Sequence, residues 1–376
     1  MRVLQRYFGT EILRAVLFVM LALLALFSFF DLMGELPSVN TGNYNLAHAF
    51  FYVLLGMPGY IYEFMPIAVL IGTIFVLAQF ASNSEFTIMR AASMSTWMAG
   101  SMLAKIGLVF VVLTFLFGEV LSPLASKWAK EIKMTALGAS VTQEFRTGLW
   151  TKDLVRENGL EGRIIGSRFL NVKEILPNRQ LVGLKVYEFD TNFSLVREVN
   201  AARSEYVGKN VWRLFDVVET VFPKTLIVQD MASANTKKYA TREVVSEITP
   251  DILSVLFADP DRMSAYDLAA FSKHLTDNKQ SSDRYEMAFW KKITYPFAVL
   301  VMMALALPFG FLHARSGGVS FKIFCGIMIG MVFYLINSLF SHVGLLNTWP
   351  ALFTALAPSL LFLIMAMIAL RYVERH

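Results

Sequence analysis

The stretch IFCGIMIGMVFYLINSLFSHVGLLNTWPALFTALAPSLLFLIMAMIAL, residues 323–370, contains no Asp, Glu, Lys or Arg. A helix rises about 1.5 Å per residue and the hydrocarbon core of a bilayer is about 30 Å thick, so one crossing uses roughly 20 apolar residues. The run is too long for one crossing and reads as two, broken at His342 to Pro350, where Gly344, Asn347 and Pro350 supply turn chemistry. Four further apolar runs precede it: Ala15 to Phe30, Phe64 to Ser84, Trp97 to Leu121 and Ile293 to Leu312. The third holds Lys105, able to snorkel, and Glu119 near its end. The sequence therefore predicts an α-helical polytopic membrane protein of six transmembrane helices, arranged three plus three. Composition agrees: 56% of the 376 residues are apolar and 17% charged, against roughly a quarter charged in soluble domains. A net charge of +5 is too small to suggest nucleic-acid binding. Cys325 is the sole cysteine, which excludes a disulfide framework and a multi-cysteine metal site.

Basic residues in short loops are retained on the cytoplasmic side. With the N-terminus inside, the inner segments hold Arg2, Arg6, Arg90, Arg315, Lys322, Arg371 and Arg375, whereas Asp31 to Asn45 and His342 to Trp349 hold no Lys or Arg. Both termini are thus expected in the cytoplasm, with Ser122 to Glu286 outside. The first apolar run continues into Asp31, Glu35 and Pro37 and reads as a retained anchor rather than a cleaved signal.

The chain divides into residues 1–126 with helices one to three, an outer domain 127–286, and residues 287–376 with helices four to six. Lys127 to Leu137 continues the third span as a polar helix. From about 145 to 250 the pattern becomes short β-branched and aromatic runs, among them Val182 to Phe189, Ser194 to Val199, Val211 to Phe222 and Thr225 to Met231. Turns at Pro177-Asn178, Asp190-Thr191-Asn192 and Gly208-Lys209-Asn210 punctuate them. This predicts an inserted all-β jelly roll or sandwich. Trp212, Leu214, Val218 and Phe222 are expected on one face of a strand and Val211, Phe215, Val217 and Val221 on the other, giving either a packed core with a covered outer face or a groove for acyl chains. Ser264 to Lys279 reads as a helix leading to span four.

Sites for chemistry are scarce. Gly208-Lys209 has Arg203 where a P-loop needs its first Gly, so this chain does not cradle nucleotide phosphates in that way. The five His residues are too scattered for a metal pair, and no Gly-x-Ser-x-Gly elbow occurs. Asp31, Glu63 and Glu119 sit at span ends as interfacial carboxylates or, alternatively, proton-relay groups. Three segments carry more information. Ser82-Asn83-Ser84-Glu85 reads as a capping box that starts a short inner helix exposing Phe86, Ile88 and Met89 beside Arg90, a surface that asks for a protein partner. Glu85 is either a cap or a carboxylate offered to that partner. Lys127, Lys130 and Lys133, at i, i+3 and i+6, form either a ligand for lipid phosphates or a solvated face eased by Glu131. Gly326-x-x-x-Gly330 marks close helix packing or a movable seam.

Over essentially its whole length the chain resembles the lipopolysaccharide export permeases LptF and LptG, and looks nearer to the LptG side. The resemblance rests on Phe29-Phe30-Asp31-Leu32-Met33-Gly34-Glu35-Leu36, on Ser84 to Ser93 (SEFTIMRAAS), on Thr147 to Asp153 (TGLWTKD), on Arg284 to Lys292 (RYEMAFWKK) and on Ala304 to Phe309 (ALALPF). It implies an inner-membrane heterodimer with an LptF-like subunit, seated on two copies of an LptB-like ATPase that bind ATP and Mg. This chain itself would hold no cofactor. The resemblance also implies a periplasmic jelly roll that hands lipid to LptC-like and LptA-like proteins. By position, Glu85, Phe86, Met89 and Arg90 would couple to the ATPase, Lys130 and Lys133 would meet lipid phosphates, and Gly326 and Gly330 would lie near the lipid gate. The expected function is a non-catalytic permease subunit extracting lipopolysaccharide. The rival readings are a mechanotransmitting scaffold whose outer domain binds an envelope partner and, less favoured by the motifs, an enzyme acting on lipid.

Overall fold

Apolar length alone sets the membrane part: among the described residues six helices are long and apolar enough to cross a bilayer. The computed structural model describes residues 2–91, 95–137, 148–159, 161–176, 180–222, 235–250, 252–253, 259–277, 280–311, 318–347 and 349–375. The predicted strand Thr225 to Met231 and the turn at Pro177-Asn178 lie outside these residues. In chain order the helices are α1 (Arg2–Glu35), α2 (Leu46–Ser82), the short α3 (Glu85–Ala91), α4 (Thr96–Leu116) and α5 (Ser122–Leu137). After the β domain come α6 (Ala265–Asp277), α7 (Asp283–Thr294), α8 (Ala298–Ala306), α9 (Pro308–Phe311), α10 (Val319–Leu346) and α11 (Ala351–Arg375). Spans one and two are α1 and α2; span three runs through α4 and α5, span four through α7 to α9, and spans five and six are α10 and α11. A Pro296-containing 3₁₀ turn, Tyr295–Phe297, interrupts span four, as expected where a ring removes an N–H donor.

Spans two and four form the centre of the bundle. Their apolar windows are 78% and 72% buried, against 28%, 22% and 22% for spans one, five and six. Those three spans leave apolar faces uncovered, carried by Phe18 and Leu21 on α1, Phe324 and Leu335 on α10, and Ile364 and Ile368 on α11. With no hydrophobic driving force between helices in lipid, close packing at small residues holds spans together. Gly72 of α2 lies so near α1 that a Cβ there would stand 2.8 Å from the Val16 backbone nitrogen. Gly344 receives Thr354 across the turn between spans five and six, where a Cβ would meet the Thr354 methyl at 2.4 Å.

Span three is the longest rod, 42 residues from Thr96 to Leu137, or about 63 Å of helix. Residues Phe117–Leu121 within it form a π-helical turn. Within that turn, both oxygens of Glu119 accept from the Ala265 amide at 2.9 Å, so this carboxylate holds the first turn of α6.

The β domain is a six-stranded antiparallel sheet in simple sequence order. Its strands are β1 (Leu149–Asn158), β2 (Glu161–Ile175), β3 (Leu181–Asp190), β4 (Leu195–Gly208), β5 (Val211–Val221) and β6 (Asn235–Val245). Each described strand pairs with its sequence neighbour, a meander without Greek-key crossings, and the sheet curls enough for side chains of β1 and β2 to reach the end of β6 and the residues just after it. Arg168 on β2 donates to the Val245 carbonyl at the end of β6, and Arg156 on β1 pairs with Glu247 at 3.2 Å. The inner face is filled by Leu170, Val172, Leu184, Val186, Leu214 and Ile248. It leaves a space of about 10 Å³, room for roughly one water. The described residues thus make a packed core rather than an open acyl groove.

The two faces of β5 differ from the expected assignment. Trp212 and Leu214 are buried, but then Val217 and Glu219 face inward in place of Val218. Asp216 adopts φ +51°, and such an irregular residue shifts the period-two alternation by one. Glu219 thereby enters a charged cluster, with Arg242 at 2.6 Å and Arg197 at 3.2 Å. Burial alone would raise its carboxyl, but the Arg242 hydrogen bond and the charges of Arg242 and Arg197 hold it below its ordinary value. A depressed folded value adds stability above the ordinary carboxylate range, and that stability is lost as pH falls through the depressed value. The thermal midpoint of the purified protein should therefore drop more between neutral pH and about pH 3 in the wild type than in Glu219→Gln. Equal losses in both proteins would remove Glu219 as the source.

Candidate functional site

The short helix α3 hangs from the end of the most buried span. α2 runs through Ser82, and a two-residue turn at Asn83-Ser84, with Ser84 at φ +62°, leads into α3. This corrects the capping-box reading. Ser82 lies in the last turn of α2, so its hydroxyl folds back and donates to the Gln79 carbonyl at 2.8 Å instead of receiving the Glu85 amide. Glu85 is released from a capping role. Its carboxylate accepts from the Tyr7 hydroxyl of α1 and from the Asn83 side-chain amide, both at 3.3 Å. Tyr7 is in turn stacked on Phe80 of α2, with ring centroids 5.3 Å apart. Ile88 is 66% exposed, while Met89 packs partly against the bundle. The side chains of Phe86 and Arg90 lie outside the described residues.

At the other end of the bundle the three lysines separate. Steps of three residues retreat about 60° around a helix, so i, i+3 and i+6 drift rather than align. Lys127 is exposed and Lys130 half-buried. Lys133 has turned onto span one, with its ammonium 2.7 Å from Glu35 and 4.6 Å from the centroid of the Tyr52 ring of α2. Glu35 also accepts from Tyr44 at 3.0 Å, and Asp31, one turn earlier, accepts from Tyr60 at 2.5 Å. Burial first, and then the bond to Glu35, pushes the Tyr44 phenol upward, which keeps it a neutral donor. The acidic pair of the Phe29 to Leu36 segment thus ties span one to spans two and three. Sequence spacing gave no sign of these tyrosine and lysine partners, because they lie from nine to 98 positions away.

Gly326 and Gly330 both face span two. A Cβ at Gly326 would stand 2.8 Å from Ile74 Cδ1, and one at Gly330 would stand 3.0 Å from Ile67 Cγ2. The pair lets α10 lie close on α2, with the uncovered apolar face of α10 directed away from it. Among the described residues no three His, Cys, Asp or Glu side chains gather as a metal site.

A family model described as lipopolysaccharide export system permease LptF/LptG matches residues 6–372. The chain is 30% identical over 363 residues to lipopolysaccharide export system permease protein LptG of Haemophilus influenzae, covering 96% of each chain. It is 28% identical over 368 residues to the protein of that name from Escherichia coli K12, covering 97% of each.

Proposed function

Because the chain belongs to the lipopolysaccharide export system permease LptF/LptG family, we propose that it extracts lipopolysaccharide from the inner membrane of a Gram-negative cell. The energy comes from a separate ATPase. In this reading both termini and α3 face the cytosol and the β domain stands in the periplasm. An LptF-like subunit completes the membrane cavity, and two LptB-like chains bind ATP and Mg below it. The β domain passes lipid to LptC-like and LptA-like jelly rolls. Each CH₂ drawn out of hydrocarbon costs about 0.8 kcal/mol, so a lipid with several acyl chains requires both an apolar enclosure and an external motor.

The observation that carries the proposal is the mounting of α3. An exposed apolar residue, Ile88, and a carboxylate, Glu85, sit on a short helix joined by two residues to the span at the centre of the bundle. Force applied to α3 enters that span directly. Uncovered apolar faces on spans one and five offer the seam where a second permease subunit and the lipid would meet.

The test separates the two partners of Glu85. In vesicles containing the reconstituted exporter, Glu85→Ala should lower lipopolysaccharide release about tenfold, equivalent to about 1.4 kcal/mol, and uncouple ATP hydrolysis from release. Tyr7→Phe, which removes only the bond from span one to Glu85, should release lipid as the wild type does. Normal transport by Glu85→Ala would overturn the coupling role; equal failure of both variants would assign Glu85 to holding span one instead.

A further inference from the structure

A second polar site lies away from the lysines of span three. Between the outer half of α2, the start of span four, the Pro260–Arg262 turn and α10 is a cavity of about 370 Å³. Its wall on α10 is unusual for a membrane span: Asn337, Ser338, Ser341 and His342 recur on one face and point into it. Intramembrane polar groups of this kind mark ligand or ion sites.

The acidic groups Asp261 and Glu63 around this cavity are already engaged by other donors, which leaves Lys292 and Tyr62 weakly served. Asp261 holds Lys291 at 3.1 Å, and Glu63 accepts from Tyr334 at 3.0 Å. Lys292, 5% exposed, has no carboxylate within 4.0 Å among the described residues, although the charges of Glu119 and Asp261 act on it. Its ammonium makes one long hydrogen bond, 3.5 Å, to the Asp261 carbonyl and lies 5.0 Å from the centroid of the Tyr62 ring. The Tyr62 hydroxyl is buried and has no hydrogen-bond partner. Arg284 stands exposed on the lining and Arg262 lies over the Tyr60 ring, neither paired with a carboxylate among the described residues. A buried ammonium with one long hydrogen bond and a buried phenol with none, in one cavity, call for an acceptor carrying negative charge. Oxygens shared between Lys, Arg and a hydroxyl are the chemistry of a phosphoryl group.

We propose that this cavity binds a phosphoryl oxyanion, with Lys292 and Tyr62 as its inner donors and Arg262 and Arg284 as outer ones. The site lies at the end of the bundle opposite α3, where a phospholipid headgroup would supply the anion. It does not depend on the transport reading, and the two fail separately.

The test uses the full chain in its membrane complex, held in a maltoside detergent, which carries no phosphate. Adding phosphatidylglycerol should raise the wild-type thermal midpoint, and mass spectrometry should find phosphatidylglycerol retained on the chain. Lys292→Met should bind it about 30-fold more weakly or worse, and the isosteric Tyr62→Phe about tenfold more weakly. A rise produced by inorganic phosphate alone, and lost in both variants, would keep the oxyanion site and assign free phosphate as its source. A rise only with lipopolysaccharide, again lost in both variants, would assign the cargo. No rise with any of these anions, or the same rise in wild type and both variants, would overturn the proposal. Lys292→Met removes a buried charge held by one long hydrogen bond and should keep a cooperative thermal transition in the maltoside alone. Should it fail to fold, Tyr62→Phe carries the test.

Discussion

Asp153→Ala should unfold the β domain while leaving the membrane bundle intact. Asp153 is fully buried at the point where the curled sheet closes. One of its oxygens receives Arg168 Nε at 2.8 Å, Arg168 Nη2 at 2.6 Å and the Ser246 hydroxyl at 2.6 Å. The other receives the Leu154 amide at 2.9 Å. Removing the carboxylate leaves the Arg168 guanidinium, 6% exposed, with Glu188 at 4.0 Å as its remaining acidic neighbour and its close ion pair broken. Such losses cost about 3–5 kcal/mol, a large part of the roughly 5–15 kcal/mol that holds a domain folded. Hydrogen exchange in the reconstituted protein should show β1 and β6 losing protection, with span amides unchanged. Asp153→Ala combined with Arg168→Met should recover much of the loss, because the stranded charge goes with it. A double variant as unstable as the single one would show that the ion pair is not what closes the sheet.

The same residue shows where the sequence stopped being legible. Thr147 to Asp153 stood out as a motif, yet its partners are 15 and 93 positions downstream and no local periodicity points to them. The spans were readable because burial in lipid imposes length and apolarity on every residue of a crossing. The strands were readable from β-branched runs between turns, but the inward face of β5 was misread beyond Asp216, where a single positive φ shifted the alternation. At the candidate site, the existence of α3 followed from its composition. Its capping did not, because whether Ser82 ends one helix or begins the next depends on how far α2 extends. Lys133 was found as a cation; its engagement with Glu35 required the packing of three spans.

Gly72→Leu should abolish stable assembly of the membrane half, and Gly72→Ala should already cost about 1–3 kcal/mol. The atoms that a Cβ would meet include backbone, Val16 N at 2.8 Å and Val16 Cα at 3.0 Å, along with the Val16 side chain. A rotamer change at Val16 cannot clear them, so α1 itself would have to move off α2. That motion would pull on Phe8, Ile12 and Met20, which belong to the bundle core. The thermal midpoint of the detergent-purified protein should fall for Gly72→Ala, and Gly72→Leu should yield little folded protein. Gly34→Ala, at a position with open space around it, is the matched control and should behave as wild type. Unaltered stability of Gly72→Ala would mean that the crossing of spans one and two has slack.

The π turn at Phe117–Leu121 has a consequence for aim. One extra residue in a helical turn swings everything beyond it by about 100° relative to an unbroken α-helix. It is this swing that brings Lys133 round to Glu35 and fixes which way Lys127 looks. The compass bearing of the whole outer half of the rod is thus set by five residues containing no lysine at all, and an azimuth counted from the span below would be wrong by more than a quarter of a revolution.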